Sequence, residues 1–242
     1  MRSKVSPSLF KLLDHVMGFQ NVRGHTFYAR ELDSRSIILD LGANEGAFSR
    51  RVASQFGCHA FAVEASPDLF AKIQESSLIH KYNYAVAGND GVVAFYESTN
   101  PEAGNIVAPK SNASGNEFNV KARGFASLLA EIRLEEIDLL KVDIEGAEIQ
   151  LFDNVETRDL ARVKQLTIEF HDSVPIPNVS TEDVERIIAK IVASGFRGGA
   201  MGGRNSDWLF WNEKRLRMPA FARLYLHLRA RPPYTRIHGT NH

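Results

Sequence analysis

The sequence predicts an α/β fold, because its apolar, strand-like runs end in an acidic residue and lead directly into helix-start signals. Residues 37–41 form the first such run, with Asp40 near its end, and residues 58–64 form the second, which ends at Glu64. The chain has 242 residues, 44% of them hydrophobic, which is enough for the core of one ordinary α/β domain. We therefore expect consecutive strand–loop–helix units in a single domain.

The loop after the first run has the composition of a nucleotide-binding turn. Gly42 and Gly46 let the backbone approach a ligand, and the helix that follows presents free N–H groups there. A dinucleotide fingerprint needs glycine at the first, third and sixth positions, but Asn44 and Ala47 occupy the last two. The Lys-Ser/Thr ending of a P-loop is also missing. The loop therefore favours a nucleoside ligand without phosphates, such as S-adenosylmethionine.

Glu64 is the predicted partner for the ribose of such a ligand, because its carboxylate can accept hydrogen bonds from both ribose hydroxyls. Ser66 and Pro67 follow it as a capping side chain and a first-turn proline, which predicts a helix start. The alternative is that Asp40 and Glu64 only terminate strands and cap helices. The occurrence of both acids on either side of the glycine loop favours the ligand-binding interpretation.

Cysteine content and hydropathy exclude several classes of protein. Cys58 is the only cysteine, so neither a disulfide framework nor a cysteine-based zinc site is available. No apolar run is long enough to span a bilayer, and charged residues interrupt the apolar side chains of residues 8–14, so no signal peptide is predicted. We expect a cytoplasmic protein.

The net charge is zero, but the charges are unevenly placed. From Lys214 onward the chain has seven Lys or Arg residues and no Asp or Glu. Apolar residues recur there at helix-like intervals, namely Leu216, Phe221, Leu224, Tyr225 and Leu228. We expect a terminal helix packed on the acidic body, which Pro232 and Pro233 would end. Peripheral membrane contact through the basic tail is the alternative, and no nucleic-acid partner is expected.

The middle of the chain predicts two further strands and one long loop. Residues 82–87 and 92–96 are apolar, β-prone runs separated by a turn rich in Gly, Asn and Asp. Residues 99–116 are rich in Asn, Ser, Gly, Ala and Pro without periodicity, which predicts a surface loop. Such a loop either closes on a substrate or is a plain solvent-exposed connection.

A second cluster of acids follows the strand-like run that begins at residue 137. Asp143 and Glu145 lie on the same side of this strand if the strand continues through residue 144. Gly146 then opens a helix whose first turn carries Glu148, an acid that the helix dipole favours.

A matching strand-like run at residues 163–172 carries Glu169 and His171, again two positions apart. Ligand sites of open parallel sheets lie beyond the carboxyl ends of the strands, so we expect both polar pairs to converge there. A histidine beside carboxylates can act as a general base or a metal ligand. The alternative is that His171 is a structural histidine.

The end of the sequence predicts a helix followed by a hairpin. Ser180 starts a helix with an apolar face at Val184, Ile187, Ile188 and Ile191. Two strands, residues 196–201 and 207–211, flank a turn rich in Gly and Asn. Trp208 and Trp211 are expected to pack in the core rather than against a substrate.

At this point the chain resembles the FkbM-type methyltransferases of the class I S-adenosylmethionine-dependent group. The resemblance rests on residues 39–46, 63–67, 140–148 and 168–171, and it covers roughly residues 36–211. It implies a Rossmann-like fold with a seven-stranded, mostly parallel sheet, an antiparallel last strand and helices on both faces. It also implies O-methylation of sugars or natural products.

These observations give three segments and a set of candidate site residues. Residues 1–35 are a helical lead-in, residues 36–212 the methyltransferase domain and residues 213–242 a basic helix and tail. The expected contacts with S-adenosylmethionine are Asp40, Gly42, Asn44, Gly46, Glu64, Ala65 and Ala85, with residues 83–86 beside the adenine.

His171 is the first candidate for the catalytic base, with Asp143 and Glu145 beside it. Because an alcohol is a poor nucleophile at neutral pH, a group must accept its proton or lower its pKa. An alternative places Mg²⁺ on Asp143 and Glu169, with help from Glu145, His171 or Asp172. The expected acceptor is a small molecule or glycan, such as a sugar, glycolipid or natural product.

Two other functions remain as alternatives. One is an NAD(P)-linked oxidoreductase, which Asn44 and Ala47 disfavour. The other is a catalytically silent module that binds the methyl donor and interacts with a partner through the basic tail. Methylation of amino groups on DNA bases is disfavoured, because residues 143–146 read Asp-Ile-Glu-Gly where such enzymes have a proline-containing aromatic motif.

Overall fold

The structure is a computed structural model that describes residues 7–96, 117–171, 179–202 and 207–229. Its strands are β1 (Phe19–Val22), β2 (His25–Tyr28), β3 (Ile37–Leu41), β4 (His59–Glu64), β5 (Ile79–Asn83), β6 (Ala85–Val86), β7 (Gly91–Tyr96), β8 (Glu117–Arg123), β9 (Ile137–Val142), β10 (Val163–Ile168), β11 (Phe196–Ala200) and β12 (Trp208–Asn212). Its helices are α1 (Pro7–Met17), α2 (Ala47–Phe56), α3 (Pro67–Lys72), α4 (Phe125–Glu131), α5 (Glu148–Asn154), α6 (Thr157–Leu160), α7 (Thr181–Ala193) and α8 (Ala220–Arg229).

Seven strands form one central sheet in the order β11-β12-β10-β9-β3-β4-β5. The pairs from β10 to β5 are parallel, whereas β12 is antiparallel to both of its neighbours. Separate hydrophobic clusters cover the two faces, one with α4, α5 and α7 and the other with α2. The predicted α/β fold with an antiparallel last strand and helices on both faces is therefore confirmed.

Local signals set the ends of several helices as the sequence predicts. The Ser66 hydroxyl caps α3 by accepting a hydrogen bond from the Leu69 N–H, and Pro67 begins that helix. Ser180 and Asp183 form a reciprocal capping box at the start of α7. These caps fix where the chain enters each helix after leaving the sheet.

The chain before the central sheet differs from the expected helical lead-in. After α1, β1 and β2 form an antiparallel hairpin, and Arg23 and Gly24 both have positive φ in its two-residue turn. The hairpin is fixed to the central sheet at Gln165, whose side chain accepts from the Tyr28 N–H at 2.8 Å and donates to the Tyr28 carbonyl at 3.0 Å. The expected lead-in did not include this hairpin, whose attachment to the sheet depends on a residue far away in the sequence.

The predicted strand at residues 82–87 is wrong as a single element. The chain leaves the central sheet after β5, and Ala85–Val86 pairs instead with β8 in a three-stranded sheet. Strand β7, predicted at residues 92–96, pairs with β8 in the same small sheet. Strand β8 and helix α4 have no counterpart in the sequence analysis. The predicted loop at residues 99–116 lies outside the described residues, as does the turn at 203–206.

The two tryptophans and the last helix complete the core. Trp208 and Trp211 are buried, as predicted. Helix α8 packs through Ala222 and Leu226, which are both fully buried. Three of the apolar residues predicted to pack, Phe221, Leu224 and Leu228, are instead exposed, because they lie on the face of the helix opposite Ala222 and Leu226. Among the described residues, no helix is both long and apolar enough to cross a membrane.

Candidate active site

Two clefts open at the carboxyl ends of β3, β4, β9 and β10. The first, here called the loop cleft, has about 590 Å³ of empty space. Residues from four chain segments line it, including Gly42, Asn44, Glu64, Ala65, Ala85 and Val86. The second, the polar cleft, has about 1190 Å³ of empty space. It is lined by ionisable side chains that include Arg23, His25, Lys141, Glu169 and His171.

The two clefts share one wall. Gly42, Asn44, Asp143 and Glu145 line both of them. Three of the four non-glycine residues with positive φ among the described residues, Arg23, Asn44 and Glu145, line the polar cleft. Such backbone conformations cost about 1–3 kcal/mol each and concentrate at functional sites. A ligand bound in the loop cleft against this wall would therefore lie next to a molecule bound in the polar cleft.

Gly42 is the point at which the two acid-bearing loops meet. Its φ is +75°, and a Cβ at this position would lie 1.7 Å from the carbonyl oxygen of Asp143. No side chain can be accommodated there without moving one of the loops. Gly46, with φ of +72°, caps the start of α2, but it lines neither cleft.

Glu64 connects the glycine loop to the start of α3. Its carboxylate accepts hydrogen bonds from the Asn44 N–H at 2.7 Å and the Ser66 N–H at 2.8 Å. Burial raises the pKa of Glu64 despite these two bonds. Each carboxylate oxygen retains a lone pair for another donor. The expected contact with ribose hydroxyls therefore stays a prediction, and the position of Glu64 in the loop cleft is compatible with it.

Asp40 lies beneath the loop instead of in a cleft, which corrects the expectation that it contacts the ligand. Its side chain is fully buried, accepts from the Ser49 hydroxyl at 2.7 Å and lies 3.3 Å from the Lys141 ammonium. The Lys141 ammonium in turn donates to the Gly42 carbonyl at 2.6 Å. Asp40 therefore supports the glycine loop from below.

Most of the apolar lining of the loop cleft comes from the end of β4 and from residues 84–95. Ala65, Tyr84 and Ala85 line it, as do Val86 and Phe95. The Asn83 amide donates to the carbonyls of Glu64 and Ala65 at 2.9 and 3.0 Å, which holds β5 against the end of β4. The predicted Ala65 and Ala85 therefore share one apolar end of this cleft.

Asp143 is held as an ionised carboxylate between Lys141 and His25. Its Oδ2 lies 3.4 Å from the Lys141 ammonium and 3.4 Å from His25 Nε2. Burial opposes ionisation, but the charges of Lys141, His25 and His171 outweigh it and hold the pKa of Asp143 well below its ordinary range. This carboxylate is therefore a poor proton acceptor at neutral pH.

Glu145 has the properties expected of a proton acceptor. Strand β9 ends at Val142, so the expected strand geometry through residue 144 is wrong; Glu145 enters the shared wall from a turn with φ of +53°. Burial, together with the nearby charges of Asp143, Glu148 and Glu169, raises the pKa of Glu145 to about 7, against the opposing charge of His171. A group that titrates near the working pH is well suited to general base catalysis.

His171 is held as a cation by the acids around it. Its Nδ1 is 3.0 Å from Glu148 Oε1, and its Nε2 is 3.4 Å from Glu145 Oε2 and 3.7 Å from Asp143 Oδ1. Burial disfavours the charged ring, but these three acids raise the pKa of His171 to about 10. Because an imidazolium cannot accept a proton, this pKa disfavours His171 as the catalytic base, and Glu145 becomes the stronger candidate for that role.

Two overlapping groups of side chains in the polar cleft have the composition of a metal site. One potential ligand atom from each of His25, Asp143 and Glu169 lies within 4.8 Å of the others, and the same holds for Asp143, Glu145 and His171. Burial, followed by the charge of Asp143, raises the pKa of Glu169. Asp172, the remaining predicted ligand, lies outside the described residues.

The structure thus brings Asp143, Glu145, Glu169 and His171 into one cleft. It adds Arg23, His25 and Lys141 to that cleft, none of which is among the predicted site residues. Glu148, also not among them, is fully buried and contacts His171 without lining the cleft. The ring of His25 is fully buried and packs edge-on against Phe48. Lys141 could have been found from the sequence, because it is a charged residue inside an otherwise apolar strand. His25 had no such signal, since it reaches the cleft through the hairpin.

Comparisons with known proteins identify the family. Residues 40–197 match the sequence pattern of the Methyltransferase FkbM domain. The chain is similar to the 31-O-demethyl-FK506 methyltransferase FkbM of Streptomyces tacrolimicus, with 24% identity over 59% of this chain and 68% of that protein. It is also 24% identical to part of the AMB antimetabolite synthetase AmbE of Pseudomonas aeruginosa, over 64% of this chain and 9% of the synthetase.

A solved structure has the same fold. Methyltransferase FkbM from Methylobacillus flagellatus KT matches with a TM-score of 0.50 and 12% identity, over 75% of this chain and 44% of that chain. The chain therefore spans less than half of that protein and less than a tenth of the synthetase. Since the family pattern covers more than half of the residues, this chain belongs to the FkbM methyltransferase family.

Proposed function

We propose that the chain transfers a methyl group from S-adenosylmethionine to a hydroxyl of a sugar, glycolipid or natural product. The observation that carries this proposal is the wall of Gly42, Asn44, Asp143 and Glu145 between the two clefts. A donor in one cleft and an acceptor in the other would meet at this wall. Alignment of the two reactants is the main requirement for methyl transfer.

The loop cleft is the proposed donor site. Gly42 allows the amino-acid end of the donor to approach the backbone, and Glu64 is placed to accept from the ribose hydroxyls. The apolar end at Ala65, Ala85 and Val86 suits the adenine ring. In this orientation the sulfonium lies toward Asp143 and Glu145, whose negative charges attract it.

Glu145 is the proposed general base. A lone pair of the acceptor oxygen attacks the methyl carbon, the carbon–sulfur bond breaks, and its electron pair stays on sulfur as a neutral thioether. The hydroxyl proton passes to the Glu145 carboxylate. The His171 cation, 3.4 Å from that carboxylate, keeps enough of it ionised at neutral pH to accept the proton.

The polarity of the second cleft supports a hydroxyl-bearing acceptor. Its carboxylates accept hydrogen bonds from hydroxyls, and His25, His171 and Lys141 offer donors. The Streptomyces relative is named for a 31-O-demethyl substrate, which places the methyl acceptor of that protein at an oxygen. Family membership also argues against the oxidoreductase alternative.

A divalent cation is a second candidate for activating the acceptor. The observation that favours it is the proximity of ligand atoms from His25, Asp143 and Glu169. A cation there would lower the pKa of a coordinated hydroxyl. Because Lys141 already lies 3.4 Å from Asp143, and Mg²⁺ prefers ligand sets made only of oxygen, we favour the metal-free route.

The test is methyl transfer from isotope-labelled S-adenosylmethionine to a panel of glycosides, lipid-linked sugars and polyketides, with and without a chelator. We expect a labelled methyl ether that forms despite chelation. Activity restored only by added Mg²⁺ would favour the cation. The silent-module alternative predicts donor binding without transfer to any acceptor, and it also predicts that Asp143→Ala has no effect on partner binding.

A further inference from the structure

Exposed apolar side chains are concentrated on two helices. Six large hydrophobic side chains are more than half exposed among the described residues, and five of these belong to α1 and α8, namely Leu12, Val16, Phe221, Leu224 and Leu228. The sixth is Val92, on the small sheet. Clustered exposed apolar residues mark interaction surfaces, whereas scattered ones do not.

Helices α1 and α8 contact each other through polar and aromatic groups. The Tyr225 hydroxyl donates to Asp14 Oδ1 at 2.7 Å, and Arg229 Nε lies 3.6 Å from the same oxygen. The Arg229 guanidinium also covers the ring of Phe10 at 4.7 Å from its centroid. The two helices therefore form one unit, here called the terminal helix pair.

Helix α8 has two apolar faces. Ala222 and Leu226 face the protein core and are fully buried. Phe221, Leu224 and Leu228, at positions i, i+3 and i+7, share a second face and are 52%, 61% and 75% exposed. Packing within the domain explains the first face and leaves the second in solvent.

The two sequence segments that contain the terminal helix pair are rich in basic residues. Seven Lys or Arg residues and no acids occur from Lys214 onward, and residues 1–18 add Arg2, Lys4 and Lys11 with the single acid Asp14. Asp14 is already paired within the helix pair, while Lys11, Arg217 and Arg223 are exposed. Exposed cations therefore accompany the apolar face on both helices and just before α8.

We propose that the terminal helix pair docks on an anionic lipid surface, with α8 lying in the plane of the interface and Phe221, Leu224 and Leu228 inserted among the acyl chains. An exposed apolar face bordered by Lys and Arg is the pattern of interfacial helices. A lipid surface fits better than a second copy of this chain, because two such cationic faces would repel each other. The proposal does not depend on the methyl acceptor.

The test is flotation of the full chain with vesicles that mix phosphatidylcholine and phosphatidylglycerol, compared with vesicles of phosphatidylcholine alone. We expect binding to the anionic vesicles, weakened by salt, which screens the cations. The triple variant Phe221→Ser, Leu224→Ser, Leu228→Ser should bind at least about tenfold more weakly. Val92→Ser is the matched control, because it removes an equally exposed apolar side chain elsewhere and should bind like the wild type.

Thermal unfolding shows whether the triple variant still folds. Because the substituted side chains are exposed, its melting temperature should stay close to that of the wild type. Arg223→Glu, which reverses one exposed charge, should weaken vesicle binding without altering the apolar face. Absence of wild-type binding to anionic vesicles, or equal binding by the triple variant, would overturn the proposal. So would a wild-type dimer that the triple variant abolishes, because the face would then be covered by a second copy.

Discussion

His171 donates a hydrogen bond through Nδ1 to Oε1 of Glu148 at 3.0 Å, which directs its Nε2 toward Glu145. The same Glu148 oxygen accepts from the backbone N–H groups of Ile144 and Gly146, at 3.1 and 3.2 Å. One buried carboxylate therefore fixes both the ring and the loop that carries Glu145. In the proposed mechanism, Glu148 is therefore a positioning residue and Glu145 is the group that accepts the proton.

Glu145→Gln should lower kcat for methyl transfer by at least about 100-fold, because general base catalysis contributes roughly 10²–10⁴-fold. The wild-type rate should rise with pH through about 7 as Glu145 loses its proton. The variant should lose this rise. Binding of S-adenosylhomocysteine, measured by calorimetry, should change little.

Glu45→Gln is the matched control for this variant. Glu45 belongs to the glycine loop but is exposed and paired with Lys72 at 2.8 Å, and it lines neither cleft. Its substitution should preserve the pH profile. If Glu145→Gln keeps wild-type kcat with the same dependence on pH, another group accepts the proton.

Glu148→Gln should lower the pKa of His171 from about 10 toward its ordinary value of 6.5, because it removes the charge that accepts from Nδ1. The stability that His171 contributes is complete below about pH 6.5 and is lost as the pH rises to 10, because the folded protein holds its proton more tightly than the unfolded chain. The variant should flatten this decline.

NMR titration of the His171 ring gives its pKa directly, and chemical unfolding across the same pH range gives the slope of stability. Glu156→Gln, at an exposed acid next to α6, serves as the control and should change neither quantity. An unaltered pKa of His171 in Glu148→Gln would show that Glu148 does not hold the ring as a cation.

Gly42→Ala should abolish donor binding, because the added Cβ would lie 1.7 Å from the Asp143 carbonyl and force the two loops apart. Gly195→Ala is the matched control: it has φ of +96° but open space around the added Cβ. In the control, the free energy of unfolding should fall only by the conformational cost of a Cβ at positive φ, about 1–2 kcal/mol. Calorimetric titration with S-adenosylhomocysteine measures the effect, and equal affinities in both variants would contradict it.

Asp207→Ala should weaken acceptor binding through the hairpin that carries His25. Asp207 accepts from the Thr26 N–H at 2.9 Å, the Thr26 hydroxyl at 2.5 Å and the Asn21 amide at 3.2 Å. Loss of these bonds leaves a buried N–H without its acceptor, at a cost of roughly 1–3 kcal/mol.

The expected result for Asp207→Ala is a higher KM for the acceptor with an unchanged Kd for the donor, since the hairpin lines only the polar cleft. Asp33→Ala, which removes an acid paired with Arg35 at the surface, is the control. A variant that loses donor affinity and acceptor affinity equally would indicate general unfolding instead of hairpin movement.

Local sequence signals account for the parts of the fold that were predicted. The Ser66 and Ser180 caps and the apolar runs of β3, β9 and β10 are encoded by neighbouring residues. The hairpin and β8 depend on partners far along the chain, such as Gln165 for the hairpin. Their sequences alone do not show those partners.

The site also combines features that local sequence predicted with features that depend on distant residues. Asp143, Glu145, Glu169 and His171 were predicted to share one cleft, because they follow the carboxyl ends of two parallel strands, which meet at the same edge of the sheet. Their protonation could not be predicted from residue type. The charge of His171 depends on the buried position of Glu148. The sequence predicted that Glu148 lies in the first turn of a helix, but not that it contacts His171.

The most direct test of the account is the identity of the atom that receives the methyl group. The full chain would be incubated with ¹³C-methyl S-adenosylmethionine and the acceptor panel, and the products examined by NMR. We predict a methyl ether on a hydroxyl oxygen, formed by the wild type and reduced at least about 100-fold in Glu145→Gln. A methyl group on nitrogen or carbon, or donor binding without transfer to any acceptor, would contradict the account.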